Sequence, residues 1–230
     1  MSLRSELARH GESDVGLSII LAIQLLIIFV VAPLATMQAV SAELGEMLRF
    51  GLAATTILIV ANRNLARAVV ALAFIATLIA SLHWRLGGTA AAIALGKIFI
   101  TLGFDFLVAA IVAYAAFAPG RVTIHRILGA VILYLYVALI FAGIYRVLAL
   151  TIGGGFSGIP PGQRGQFGGM LTFSLSALTT GDSFGISTQQ PFVRSLAGLE
   201  SVIGQLYPAT LLARLVTLHA TETAGAASED

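Results

Sequence analysis

The chain has 230 residues, 58% of them hydrophobic and only 10% charged, and its mean hydropathy is +0.96. Soluble domains carry about 25% charged residues, so the composition excludes an ordinary soluble protein and predicts an all-α membrane protein in contact with the lipid bilayer. The net charge of +2 comes from few residues, most of them near expected helix ends; these read as topology signals and imply no nucleic acid. With no cysteine in the chain, disulfides, thiolate metal sites and cysteine catalysis are excluded.

A crossing needs about 20 apolar residues, and the length accommodates six transmembrane helices with no soluble domain of useful size. Residues 1–14 are polar, with Arg4, Glu6, Arg9, Glu12 and Asp14, and read as a short cytoplasmic segment. The first span is expected from Val15 to Met37, uncleaved, because its apolar core exceeds the roughly 7 to 15 residues of a signal peptide. The second, Leu48 to Ala61, is short, and Arg63 and Arg67 separate it from the third, Ala68 to Trp84. The fourth runs from Gly88 to Ala118 and stops at Pro119-Gly120.

Residues 15–118 therefore form a four-helix transmembrane domain in the position of a voltage sensor. The arginine series that voltage sensing needs is absent from its fourth helix, where each charge moved contributes only about 2.3 kcal/mol per 100 mV. Lys97 and Asp105 lie in that span, and membrane-embedded charges are functional candidates by default. At about 1.5 Å of rise per residue they sit roughly 12 Å apart along the axis, too far to pair with each other. Snorkelling of Lys97 and pairing of Asp105 with Arg63 or Arg67 is the structural alternative.

The fifth span covers Ile127 to Thr151, and Gly153 to Gly169 is a Gly, Pro, Ser and Gln-rich turret. A short apolar helix, Gly168 to Thr179, then runs into the non-helical Gly181-Asp182-Ser183-Phe184-Gly185, and a long helix restarts near Pro191. Bare backbone at membrane depth is tolerated only where protein buries it or water lines it. This pattern predicts a re-entrant pore helix and filter loop between helices five and six, within a pore domain spanning 119–219.

Arg4, Arg9, Arg63, Arg67, Arg121, Arg126 and Arg214 fall on one side of the expected membrane, against Arg49, Arg85, Arg146, Arg164 and Arg194 on the other. The positive-inside rule then puts both termini in the cytoplasm of a multi-pass protein of the cell (inner) membrane. The small, acidic tail, 220–230, is expected to be disordered and cytoplasmic.

Leu178-Thr179-Thr180, then Arg194-Ser195-Leu196-Ala197, Leu199-Glu200, Gly204-Gln205-Leu206-Tyr207 and Ala213-Arg214-Leu215-Val216 carry a resemblance over about fifty residues. They resemble the pore and inner helix of the bacterial potassium-channel-domain family. The resemblance implies an ion channel for cation transport, with tetrameric architecture and a selectivity filter at Thr179, Thr180, Gly181, Asp182, Ser183, Phe184 and Gly185. Family members carry a Thr-Val-Gly-Tyr-Gly run in the filter, and this chain departs from it, so potassium selectivity does not carry over. The segment is instead similar to the Thr-Leu-Glu-Ser-Trp-Ser signature of bacterial sodium channels, with Thr180, Asp182, Ser183 and Phe184 in the matching places.

In a homotetramer, Asp182 would form a ring of four carboxylates, a standard means of selecting cations. Such charges resist simultaneous ionisation, and a permeant cation held at Asp182 relieves their repulsion. Oxygen ligands of this kind suit sodium or calcium. Gly204 and Pro208, four residues apart, mark a gating hinge, because the proline ring clashes with the carbonyl four residues back. Below it Leu211, Leu212, Leu215 and Leu218 would converge as an apolar gate, with a static kink as the alternative. Arg194 and Glu200 are expected to support the filter from behind.

The expected function is a cation channel for sodium, calcium or unselected monovalent cations, without cofactors. Two other readings stay open: a potassium channel with an atypical filter, and a non-conducting interaction or regulatory subunit. Gly153-Gly154-Gly155-Phe156-Ser157-Gly158 satisfies G-x-G-x-x-G but follows a membrane helix instead of a strand, which argues against a nucleotide site. The four histidines show no metal-ligand spacing, and no catalytic constellation appears, so an enzyme is not expected.

Overall fold

A computed structural model describes residues 17–36, 48, 51, 90–117, 124–152, 155–159, 167–181 and 185–226. Apart from Leu48 and Gly51, the expected second and third spans lie outside these residues, as do Arg63 and Arg67. The described residues are helical apart from short loops and one isolated β-bridge.

Pro33 governs the first helix, α1, at residues 17–36. A proline has no N–H and its ring collides with the carbonyl four residues earlier, here that of Phe29. The turn Ile27–Val31 is accordingly widened to a π-helix, closed by the Ala32 N–H donating to Ile27 O, and α-helix resumes over Ala32–Thr36. A π-turn of this kind lets a helix pass a proline without ending.

Helices α2 (Ala90–Phe117) and α3 (Ile124–Thr151) form an antiparallel pair. Two glycines of α3 set the register: a Cβ on Gly143 would come within 2.9 Å of Leu102 Cδ1, and one on Gly129 within 3.4 Å of the Ala116 Cβ. Three stretches among the described residues are long and apolar enough to cross a membrane: Leu17–Leu34, Ala94–Tyr114 and Arg126–Thr151. The third is the central one, with 67% of it buried against 33% and 39% for the others. Its buried residues, among them Ile132, Tyr136, Ala138, Leu139, Ala142 and Tyr145, face α2 on one side and the next two helices on the other.

Helix α4 (Phe167–Thr179) has 13 residues, about 20 Å at 1.5 Å per residue, short of the roughly 30 Å hydrocarbon core. It is wedged against α3, the last helix and the C-terminal end of α1. Three of its four hydroxyls are satisfied within the helix: Thr172 donates to Gly168 O (3.0 Å), Ser176 to Thr172 O (2.8 Å) and Thr179 to Leu175 O (2.7 Å). Polar side chains thereby sit in an apolar helix without a desolvated donor.

Helix α5 (Pro191–Ala226) runs 36 residues with Pro208 inside it. Its start is built from standard parts. The Thr188 hydroxyl accepts from the Gln190 N–H at 3.3 Å, Pro191 takes the first helical position where no N–H is needed, and the Arg194 N–H closes on Gln190 O at 3.0 Å. Helix continues through Ala226, past the Ala220 boundary expected for a disordered tail. Ala220, Ala224, Ala226 and Glu222 are good helix formers and carry the helix onward. Arg194, Glu200, Ser201 and Gln205 make the first half of α5 more polar than α2 or α3.

Candidate functional site

The C-terminus of α4 is where the site begins. The Gly181 N–H donates to Ser176 O at 2.9 Å and the Thr180 N–H to Ala177 O at 3.4 Å, which together make a Schellman cap. The residue in the left-handed position of that cap is Thr180, at φ 56°. Glycine is the usual occupant, and a β-branched residue there is strained. Its hydroxyl donates to Thr179 O at 2.6 Å. The carbonyls of Ser176, Ala177 and Thr179 are thus each engaged, while Thr179, Thr180 and Gly181 remain exposed.

Leu178 O, the remaining carbonyl of that turn, is covered by Gly204 of α5. A Cβ at residue 204 would lie 1.8 Å from Leu178 O and 2.7 Å from its carbonyl carbon, so only glycine fits this helix crossing. Gly204 therefore has a packing role that its expected use as a hinge did not anticipate. Pro208, one turn on, is exposed and lies within continuous helix.

The return from the loop is tied to the turret. Ser157 and Ser187 pair as an antiparallel bridge, N–H to O at 2.8 and 3.1 Å, with their hydroxyls 2.7 Å apart. Thr188 Oγ1 donates to Gly155 O at 2.6 Å. Two glycines with positive φ allow the approach: Gly158 at 83° and Gly185 at 80°. A Cβ on Gly158 would lie 2.0 Å from Gly185 O. The turret is held in turn by an aromatic cluster, with Phe156 against Phe173 of α4 (5.4 Å) and Tyr145 of α3 (6.0 Å), and Tyr145 against Phe173 (5.0 Å), all edge to face. Arg146 of α3 lies over the ring of Phe167 at the start of α4, 5.9 Å from its centroid.

Behind α4 stands a polar group in an apolar interior. Glu200 of α5 is fully buried. The Tyr145 hydroxyl donates to its Oε2 at 2.7 Å, and the Ser174 hydroxyl is hydrogen-bonded to its Oε1. Ser174 also lies 2.8 Å from Ala138 O, so three helices meet at one carboxyl group. Two turns on, the Tyr207 hydroxyl donates to Ala130 O at 2.7 Å and its ring packs on Tyr134 at 5.6 Å, fastening α5 to α3 a second time.

Of the residues expected to form the filter, Thr179, Thr180, Gly181 and Gly185 lie at the two ends of one loop; Asp182, Ser183 and Phe184 lie outside the described residues. Glu200 is placed against α4, whereas Arg194, six residues earlier, is exposed and not part of that group. Below Pro208, Leu211 is half-buried and Leu212 exposed, while the side chains of Leu215 and Leu218 lie outside the described residues. Lys97 is half-buried and its carbonyl accepts from the Thr101 hydroxyl at 2.8 Å; Asp105 is buried. Tyr145, Ser174 and the Ser157–Ser187 bridge were not anticipated. Their only signal in the sequence is a hydroxyl in an otherwise apolar run. No protein-family model, curated protein or solved structure matches the chain.

Proposed function

We propose that the chain is one subunit of a homotetrameric cation channel, with the pore built from α3, α4, α5 and the loop between the last two. The observation that carries this reading is α4: an apolar helix too short to cross, wedged between long helices, capped, and followed by a loop whose described ends, Gly181 and Gly185, are exposed. A helix that enters a membrane and stops halfway suits a loop that lines water. The potassium-channel-domain resemblance of Leu178 to Val216 points the same way.

Asp182 is the selecting group in this proposal. With the carbonyls of Ser176, Ala177 and Thr179 each bonded locally, the α4 cap favours a filter lined by side-chain oxygen over a stack of bare carbonyls. Sodium, calcium or unselected monovalent cations are the expected ions. Phe192, Leu199, Val202 and Leu206, spaced seven, three and four residues apart, form an exposed face of α5 on which neighbouring subunits would pack. The lower apolarity of α5 suits a helix with another face on water.

The same reading takes six crossings in all, both termini in the cytoplasm, and movement of α5 around Pro208 as the gate. The test is cation flux. Purified protein in liposomes should collapse imposed sodium, potassium or calcium gradients that empty liposomes retain. Protein-containing liposomes as tight as empty ones would instead favour a non-conducting subunit.

A further inference from the structure

We infer that Tyr145, Glu200 and Ser174 form a hydrogen-ordered chain that positions the C-terminal cap of α4, with Glu200 bridging as the un-ionised acid. Its bearing on ion selection rests on the channel reading; its existence does not.

The hydrogens decide the assignment. Tyr145 contributes one, directed at Glu200 Oε2. Ser174 also has one, yet its Oγ is within bonding distance of two acceptors, Ala138 O at 2.8 Å and Glu200 Oε1. With an ionised carboxylate, one of those contacts sets lone pair against lone pair. A hydrogen on Oε1 resolves it: Tyr145 donates to Glu200, Glu200 to Ser174, and Ser174 to Ala138 O, leaving no hydroxyl hydrogen unused. Among the described residues no Lys, Arg or His pairs with Glu200, so none of them compensates a charge at this fully buried place.

The position of the chain gives it a task. Leu178 is one helical turn beyond Ser174 on α4, and Gly204 is one turn beyond Glu200 on α5. The Ser174–Glu200 bond and the Gly204–Leu178 contact are therefore successive fastenings along one helix–helix seam. Together they set the height of Thr180 and Gly181, whose amides close the cap. Tyr145 and Ser174 are thus positioning residues for the loop that follows.

The experiment is hydrogen exchange, by mass spectrometry, of the segment containing the Thr180 and Gly181 amides, in detergent-solubilised wild type, Glu200→Gln, Ser174→Ala and Tyr145→Phe. A glutamine oxygen can accept from Tyr145 and one of the two amide N–H groups can donate to Ser174 in place of the acid's hydrogen, so Glu200→Gln should exchange within about twofold of wild type. Ser174→Ala and Tyr145→Phe each leave a buried polar atom unpartnered and should exchange about tenfold faster there, with α2 unchanged.

Glu200→Gln as fast as Ser174→Ala would overturn the proton assignment. Unchanged exchange in both Ser174→Ala and Tyr145→Phe would overturn the positioning role, and either variant alone suffices if the other does not fold. Wild-type flux, measured in parallel, separates the two ideas: the expected exchange pattern in a protein that passes no ions supports the chain and removes only the channel reading.

Discussion

Gly204→Ala puts the close helix crossing to a direct test. The added Cβ would lie 1.8 Å from Leu178 O, 2.7 Å from its carbonyl carbon and 3.0 Å from its Cα. Ordinary contact is about 3.5 Å, so α4 and α5 must part by roughly 1.5 Å. The obstructing atoms are backbone, and no rotamer change relieves them. Overpacking costs about 1–3 kcal/mol where side chains can yield, and this site belongs at the upper end. Alanine's better helix propensity returns about 1 kcal/mol, leaving a net loss of about 2 kcal/mol. Gly198, on the same helix, has nothing within 4 Å of an added Cβ, so Gly198→Ala should gain up to about 1 kcal/mol. Denaturation of both variants in one detergent, followed by circular dichroism, should move the midpoints in opposite directions. If Gly204→Ala is stabilised like Gly198→Ala, the crossing is not close and the glycine is free to serve as a hinge.

Thr180→Gly should stabilise the protein by about 1 kcal/mol in the same assay, since glycine adopts the left-handed conformation at φ 56° without strain; a loss of stability would mean that the Thr180 hydroxyl bond to Thr179 O outweighs the strain. Gly158→Ala should lose about 1–2 kcal/mol and expose the Ser157–Ser187 pairing to faster amide exchange, because its Cβ would meet Gly185 O at 2.0 Å from a positive-φ backbone. Pro208→Ala should change open probability in single-channel records while leaving reversal potentials where they are; a change of selectivity would place Pro208 in the filter's support and refute the gate.

Much of the helix layout could be read from residues alone. Among the described residues, α2 and α3 fall where the fourth and fifth spans were expected, α5 starts at Pro191, and α4 ends at Thr179 before the Gly and Ser run. The faces of the helices could not be read. α2 and α3 are apolar all round, so no periodicity says which side meets a neighbour, and nothing marked Tyr145 or Ser174 as partners of Glu200. Gly204 illustrates a second limit: flexibility and close approach both call for a missing side chain, and the hinge reading saw only the first. Thr180 marks a third, because the left-handed cap position normally announces itself by glycine and here it does not. The extension of α5 to Ala226 was missed because composition suggested a tail where Ala and Glu support helix.

Selectivity at Asp182 is the central claim. Reversal potentials in planar bilayers, under sodium/potassium and calcium/potassium bi-ionic conditions, test it by comparing wild type with Asp182→Asn. A sodium or calcium preference in wild type that disappears in Asp182→Asn is the expected result. Clear potassium selectivity, unchanged by the substitution, would contradict the carboxylate ring and favour a potassium channel with an atypical filter.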